Sequence, residues 1–215
     1  MNESNVLRQR EPHRAAPPTL DPHEVNALAA ACRTARDRLL VQLLFETGLR
    51  PGEVLALWLE DVQINPPQMR VVDRGELPNL AEIKRPASER CLDVSADLIN
   101  RVLSYVTVAH TEDVLTNHIF LKEHGPNRGQ PMDYADLRGA FQRLSRRAEI
   151  QATPYRLRHT SLTNLARTGW APEHLQIRAG HAHFQTTYST YVYPRPEDLR
   201  AAWERTRGST TGTEK

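Results

Sequence analysis

The sequence predicts a mostly α-helical chain carrying a small antiparallel β-sheet, an α+β class. Three observations predict it. Apolar residues recur at helical spacing in separate stretches, as in Leu39, Leu40, Leu43 and Leu44, or Leu137, Phe141 and Leu144. Helix-start signals stand just ahead of such stretches: Asp21-Pro22-His23-Glu24, Asp133 and Thr153-Pro154. Between them, residues 62–94 lose the helical period and break into short extended runs, parted by Asn65-Pro66-Pro67 and a turn-rich segment at 73–79.

Residues 1–19 mix Arg, Pro, Asn and Glu without periodicity and read as a flexible leader. The first helix opens at Asp21 and turns Val25, Leu28, Ala29 and Cys32 inward. A second starts near Arg36 and stops at Gly48, which takes the left-handed conformation cheaply. Pro51 opens a short third helix, which leaves Arg50 in the tight connection. Strands are expected over 69–72, 80–83 and 91–94. Ser95 caps a helix to about Val106, and 107–131 is irregular except for an extended piece at 118–121. Further helices are expected from Asp133 to Ala148, from Thr153 to about Ala166 with Gly169 beyond it, and from Pro172 to just before Gly180. Shorter ones follow from about Phe184 past Thr187 and over 197–204. The main unit spans 20–206, with a flexible tail at 207–215 around Gly208-Ser209-Thr210-Thr211-Gly212.

Composition narrows the function classes. At 215 residues and 39% hydrophobic, the chain supports a core and does not read as disordered. No apolar run reaches the length of a membrane span, and the polar opening Met1-Asn2-Glu3-Ser4-Asn5 lacks the apolar segment of a secretory signal. Cys32 and Cys91 form neither a disulfide framework nor a metal-binding Cys-x-x-Cys, so the expected setting is the cytoplasm. A net charge of +2 says little about nucleic acid, but only Lys84, Lys122 and Lys215 among the 28 basic residues are lysine. Arginine suits phosphate because its planar fork meets two oxygens at once, although base content of a genome also biases this ratio. His174, His181 and His183 lack zinc-site spacing, and there is no glycine-rich phosphate loop, so neither metal nor other cofactor is expected.

One set of polar residues exceeds what a bland helical domain needs. It runs Thr47-Gly48-Leu49-Arg50-Pro51-Gly52-Glu53, Lys84, Tyr155-Arg156-Leu157-Arg158-His159-Thr160, Ala179-Gly180-His181 and Thr186-Thr187-Tyr188-Ser189-Thr190-Tyr191. Two guanidiniums, an ammonium, imidazoles and a phenol can hold a phosphodiester and attack its phosphorus. In this order the motifs resemble the catalytic domain of the tyrosine recombinase, or phage integrase, family, over roughly residues 20–200.

The resemblance implies a DNA strand transferase, a site-specific recombinase working through a covalent 3'-phosphotyrosine without ATP. Tyr191 is then the nucleophile, ten residues after His181, with Tyr188 and Tyr193 left to packing or DNA contact. Arg50 and Arg158 would take the scissile phosphate, and Glu53 would support the Arg50 turn. Lys84 would protonate the departing 5'-oxygen. His159 would handle a proton or touch the phosphate, and His181 would donate to it or orient the nucleophile. Tyr155 stands where the family more often has histidine; a phenol can donate to phosphate but cannot become an imidazolium.

The implied partners are double-stranded DNA, a homo-oligomer assembled on it, and no membrane. About 20 residues precede the matching region and do not read as the family's usual DNA-clamping domain, so target choice is expected to rest on an accessory protein, a remote partner chain or a compact recognition mode, unless the chain is a fragment. Two other readings use the same fold: a noncatalytic DNA-binding or regulatory protein, and a topoisomerase-like relaxing enzyme.

Overall fold

The structure, a computed structural model, describes residues 19–81, 83, 89–181, 187 and 200. Seven helices and three strands run through these residues. In chain order they are α1 (Pro22–Ala30), α2 (Ala35–Thr47), α3 (Pro51–Leu55), a 3-10 turn (Leu59–Asp61), β1 (Val62–Gln63), β2 (Gln68–Val71), β3 (Arg90–Asp93), α4 (Ala96–Ala109), α5 (Tyr134–Ala148), α6 (Pro154–Arg167) and α7 (Pro172–Ala179). The leader to residue 18 and the tail lie outside the described residues. So do the two last expected helices, apart from Thr187 and Arg200, whose backbones are helical.

The caps predicted from sequence form. Asp21 accepts from the Glu24 backbone N–H while Glu24 accepts in return, and Asp133 and Asp136 repeat that exchange. Ser95 caps α4 through the Leu98 N–H, and Thr153 caps α6 through that of Arg156. α4 runs a turn beyond the expected end, to Ala109. Gly48 stops α2 with φ 66°.

One strand expectation is revised. Leu80, Ala81 and Ile83 form no strand. The Asn79 amide donates to the carbonyls of Leu55 and Met132, and Leu80 takes φ 54°, which breaks an extended run. The third strand is instead β1, whose two residues are too short to show alternation.

The sheet is antiparallel in the order β1-β2-β3, with Val62 opposite Met69, Met69 opposite Leu92 and Val71 opposite Arg90. Met69, Val71 and Leu92 are buried while Arg70 and Cys91 face out. The period of two therefore puts Arg90 on the inner face as well.

The core is organised on α2 and α6, which pack against each other. α2 buries Leu39, Leu40, Val41, Leu43 and Leu44. α6 is buried at every position from Leu157 to Leu162, so protein surrounds its middle. The two helices come close at Gly48, where a Cβ would stand 3.0 Å from Leu162 Cδ2. α4 lies on α2, α5 on α1, and α7 bridges α6 and β3. The end of α2, the start of α3, the middle of α6, the end of α7 and the first residue of β3 thus meet in one place.

Candidate active site

Glu53 is the centre of that meeting point. It lies on α3 with a fully buried side chain, so its carboxylate needs partners. Arg50, just before α3, supplies two: its backbone N–H donates to Glu53 Oε2 at 2.7 Å and its Nη1 to Oε1 at 2.7 Å. Arg90 supplies two more, Nη1 to Oε1 at 3.1 Å and Nη2 to Oε2 at 2.9 Å. Arg158 approaches from α6, its Nη1 3.8 Å from Oε2. Three guanidiniums around one carboxylate give the described cluster a surplus of positive charge.

α7 completes the arrangement with backbone carbonyls. It ends at Gly180 with φ 62°, which turns the chain over the arginines. The Gly180 carbonyl accepts from Arg50 Nη2 at 2.7 Å, and the Ala179 carbonyl from Arg158 Nη2 at 2.8 Å. Arg158 Nη1 also donates to the Gly48 carbonyl, where α2 ends. A Cβ at Gly180 would fall 2.7 Å from Arg90 Nη1 and 3.0 Å from Arg50 Nη1, so the close approach needs glycine twice over.

His181 follows directly. Its Nε2 is 3.2 Å from Arg158 Nη2 and its Nδ1 is 2.8 Å from Thr187 Oγ1. Burial, then the charges of Arg158, Arg50 and Arg90, push the ring down to about 4, so it is neutral at neutral pH. For Glu53, burial alone would raise the carboxyl. The hydrogen bond and charge of Arg90, the charge of Arg158 and the Arg50 N–H together hold it below the ordinary 4.5. His159, the next residue on α6 after Arg158, is also buried, and burial followed by the Arg167 charge keeps its ring below the ordinary 6.5.

The predicted residues Arg50, Glu53, Arg158 and His181 are thus brought together. Tyr155 stands one turn before Arg158 but is 56% exposed, on the wall of a groove of about 990 Å³ shared with Tyr134, Arg138 and Phe141. Lys84 and Tyr191 fall outside the described residues, as do Tyr188 and Tyr193.

The family model for the phage integrase family matches residues 18–197, which contain this whole cluster. The chain belongs to the phage integrase family. Among its relatives, transposase A of transposon Tn554 from Staphylococcus aureus is 35% identical over 92% of this chain and 54% of its own. The crystal structure of XerA recombinase superposes with a TM-score of 0.72 at 25% identity, over 92% of this chain and 67% of the other. The Tn1549 transposon integrase, solved in complex with a circular intermediate DNA, shares the fold with a TM-score of 0.70 at 21% identity, over 87% of this chain and 65% of the other. The chain thus spans about half the length of the Tn554 transposase.

Sequence reasoning gave no role to three residues of this integrase-family site. Arg90 hides among 25 arginines, and only strand register reveals that it faces inward. Arg178 ties α7 down, donating to the carbonyls of Glu46 and Asp93 with its guanidinium over the Trp170 ring. Thr187 is fully buried against His181. Its place in the motif carrying Tyr191 was visible, but its pairing was not.

Proposed function

We propose that the chain is the catalytic unit of a site-specific DNA recombinase that cuts and rejoins strands through Tyr191. The observation that carries this reading is the double tether of Arg50 and Arg158, each to the Glu53 carboxylate and to an α7 or Gly48 carbonyl. Two fixed guanidiniums with surplus positive charge are what a phosphoryl-transfer transition state requires, because negative charge grows on its nonbridging oxygens.

In the proposed reaction the Tyr191 phenol oxygen forms a bond to phosphorus as the bond to the 5'-oxygen breaks, leaving a 3'-phosphotyrosine. Lys84 gives a proton to the departing 5'-oxygen. The phenol, with an ordinary pKa of about 10, must lose its own proton, and nearby positive charge favours that loss. His159, neutral at neutral pH, is the candidate acceptor. Tyr155, exposed one turn before Arg158, would reach a phosphate only where the bound strand passes over the start of α6.

Of the two roles open to His181, orientation fits better. Its Nε2 accepts from Arg158, so in this state it has no N–H there for a phosphate. A 5'-hydroxyl from a second duplex then attacks the adduct and frees Tyr191. Exchange needs paired sites, so the chain works on double-stranded DNA as a homo-oligomer, in the cytoplasm where that DNA lies. The Tn554 and XerA relatives support recombination over simple relaxation.

The test is a nicked duplex that loses a short fragment on cleavage and so traps the adduct. The wild-type chain should yield a covalent protein–DNA band. Tyr191→Phe should bind the duplex equally and yield none. An undiminished band from the variant rules out Tyr191 as sole nucleophile.

A further inference from the structure

We infer that Arg90 is a positioning residue of this site: it pins and neutralises the Glu53 carboxylate from the sheet side, so that Arg50 and Arg158 keep their charge for the phosphate. The inference rests on the DNA-cleavage reading above and extends it to a residue on a different element.

Register comes first. Arg90 pairs with Val71 and shares its face with Met69 and Leu92, which form part of the core. An arginine there is costly to bury unless its donors are met. They are met in a specific way. Nη1 and Nη2 take the two oxygens of Glu53 at 3.1 and 2.9 Å, and Nε donates to the Arg178 carbonyl at 2.8 Å. Its side chain is 5% exposed, beside 6% for Arg158 and 19% for Arg50, so burial alone does not set it apart. Both terminal nitrogens of Arg90 grip the Glu53 carboxylate as a fork, which neither Arg50 nor Arg158 does, and its Nε reaches α7; that geometry is a brace.

The brace acts on charge as well as on position. Glu53 faces three guanidiniums and needs only one to be neutralised. With Arg90 committed to it, Arg50 and Arg158 hold the surplus. Without Arg90, the carboxylate draws on Arg50 and Arg158 alone, and Arg158, now 3.8 Å away, has reason to close on it. The same side chain fixes α7: Arg90 Nε holds the Arg178 carbonyl, two residues before the Gly180 carbonyl that holds Arg50.

Arg90→Gln and Arg90→Lys separate this role from packing. On the nicked duplex, single-turnover adduct formation by Arg90→Gln should fall roughly 100-fold with duplex Kd changed less than about threefold. Arg90→Lys should recover part of the rate, because an ammonium restores charge without the bidentate fork. A second readout needs no cleavage. Carbon-13 NMR of labelled glutamate carboxyls, with Glu53 assigned by loss of its signal in Glu53→Gln, should show Glu53 titrating at higher pH in both Arg90 variants. Parallel losses of rate and affinity, or an unmoved Glu53 titration, overturn the inference. If Arg90→Gln does not fold, the Arg90→Lys titration decides. If the wild-type chain forms no adduct, the cleavage reading fails, while the Glu53 titration still judges the brace.

Discussion

Arg158 Nη2 and His181 Nε2 stand 3.2 Å apart, and this pair assigns the imidazole tautomer. A guanidinium only donates, so Nε2 accepts, and the ring proton sits on Nδ1, facing Thr187 Oγ1 at 2.8 Å. His181 therefore links Arg158 to Thr187, the one described residue of the segment that leads to Tyr191.

This chain of bonds gives a titration prediction. His181 is held at about 4, below its ordinary 6.5. A folded value below the unfolded one means that the unfolded chain takes up the proton first. The His181 contribution to stability is complete above 6.5 and is lost as pH falls toward 4. Proton NMR should show the His181 ring titrating near 4, and urea unfolding at pH 5 and 7.5 should show His181→Asn losing less stability on acidification than wild type. Equal losses contradict the assignment.

Thr187→Val removes the acceptor of the Nδ1–H and keeps the shape. A buried donor left unpaired costs about 1–3 kcal/mol. Adduct formation should fall about tenfold with duplex affinity nearly unchanged, because on the proposed mechanism the bond orients the His181 ring.

Glu53→Gln leaves buried guanidiniums without their counter-charge. Breaking one side of a buried ionic cluster costs about 3–5 kcal/mol, so chemical denaturation should show a loss of that order. Because Glu53 is held below 4.5, its contribution is present above that pH and disappears as pH falls through its folded value. The gap in stability between wild type and Glu53→Gln should therefore narrow in acid.

Gly180→Ala and Gly75→Ala separate backbone strain from crowding. Both glycines have positive φ, 62° and 69°, so each substitution costs about 1–2 kcal/mol in backbone terms. Only at Gly180 does the new Cβ meet Arg90 and Arg50; at Gly75 nothing lies within 4 Å. Gly180→Ala should abolish most cleavage, and Gly75→Ala should leave it intact, as read by adduct yield at matched occupancy.

The helical frame was legible because its signals are local. Asp21, Ser95, Asp133 and Thr153 cap the helices they announce, and Leu137, Phe141 and Leu144 point inward as their spacing requires. The sheet was legible only in part. β1 is too short to carry a period, and the turn at Leu80 depends on the Asn79 amide reaching Leu55 and Met132, a contact across the chain. At the site, Arg50 and Arg158 announced themselves through motif order. Arg90 did not, since its inward face follows from pairing with Val71, and pairing partners are not written locally.

The central claim is that Arg50 and Arg158 together hold the phosphate that Tyr191 attacks. A structure of the Tyr191→Phe chain on its uncleaved duplex tests it most directly. The account predicts nonbridging oxygens of one phosphate within about 3 Å of both guanidiniums, with the substituted ring at position 191 aimed in line at its phosphorus. A duplex docked with that phosphate away from either arginine, or with position 191 unable to reach it, would contradict the account.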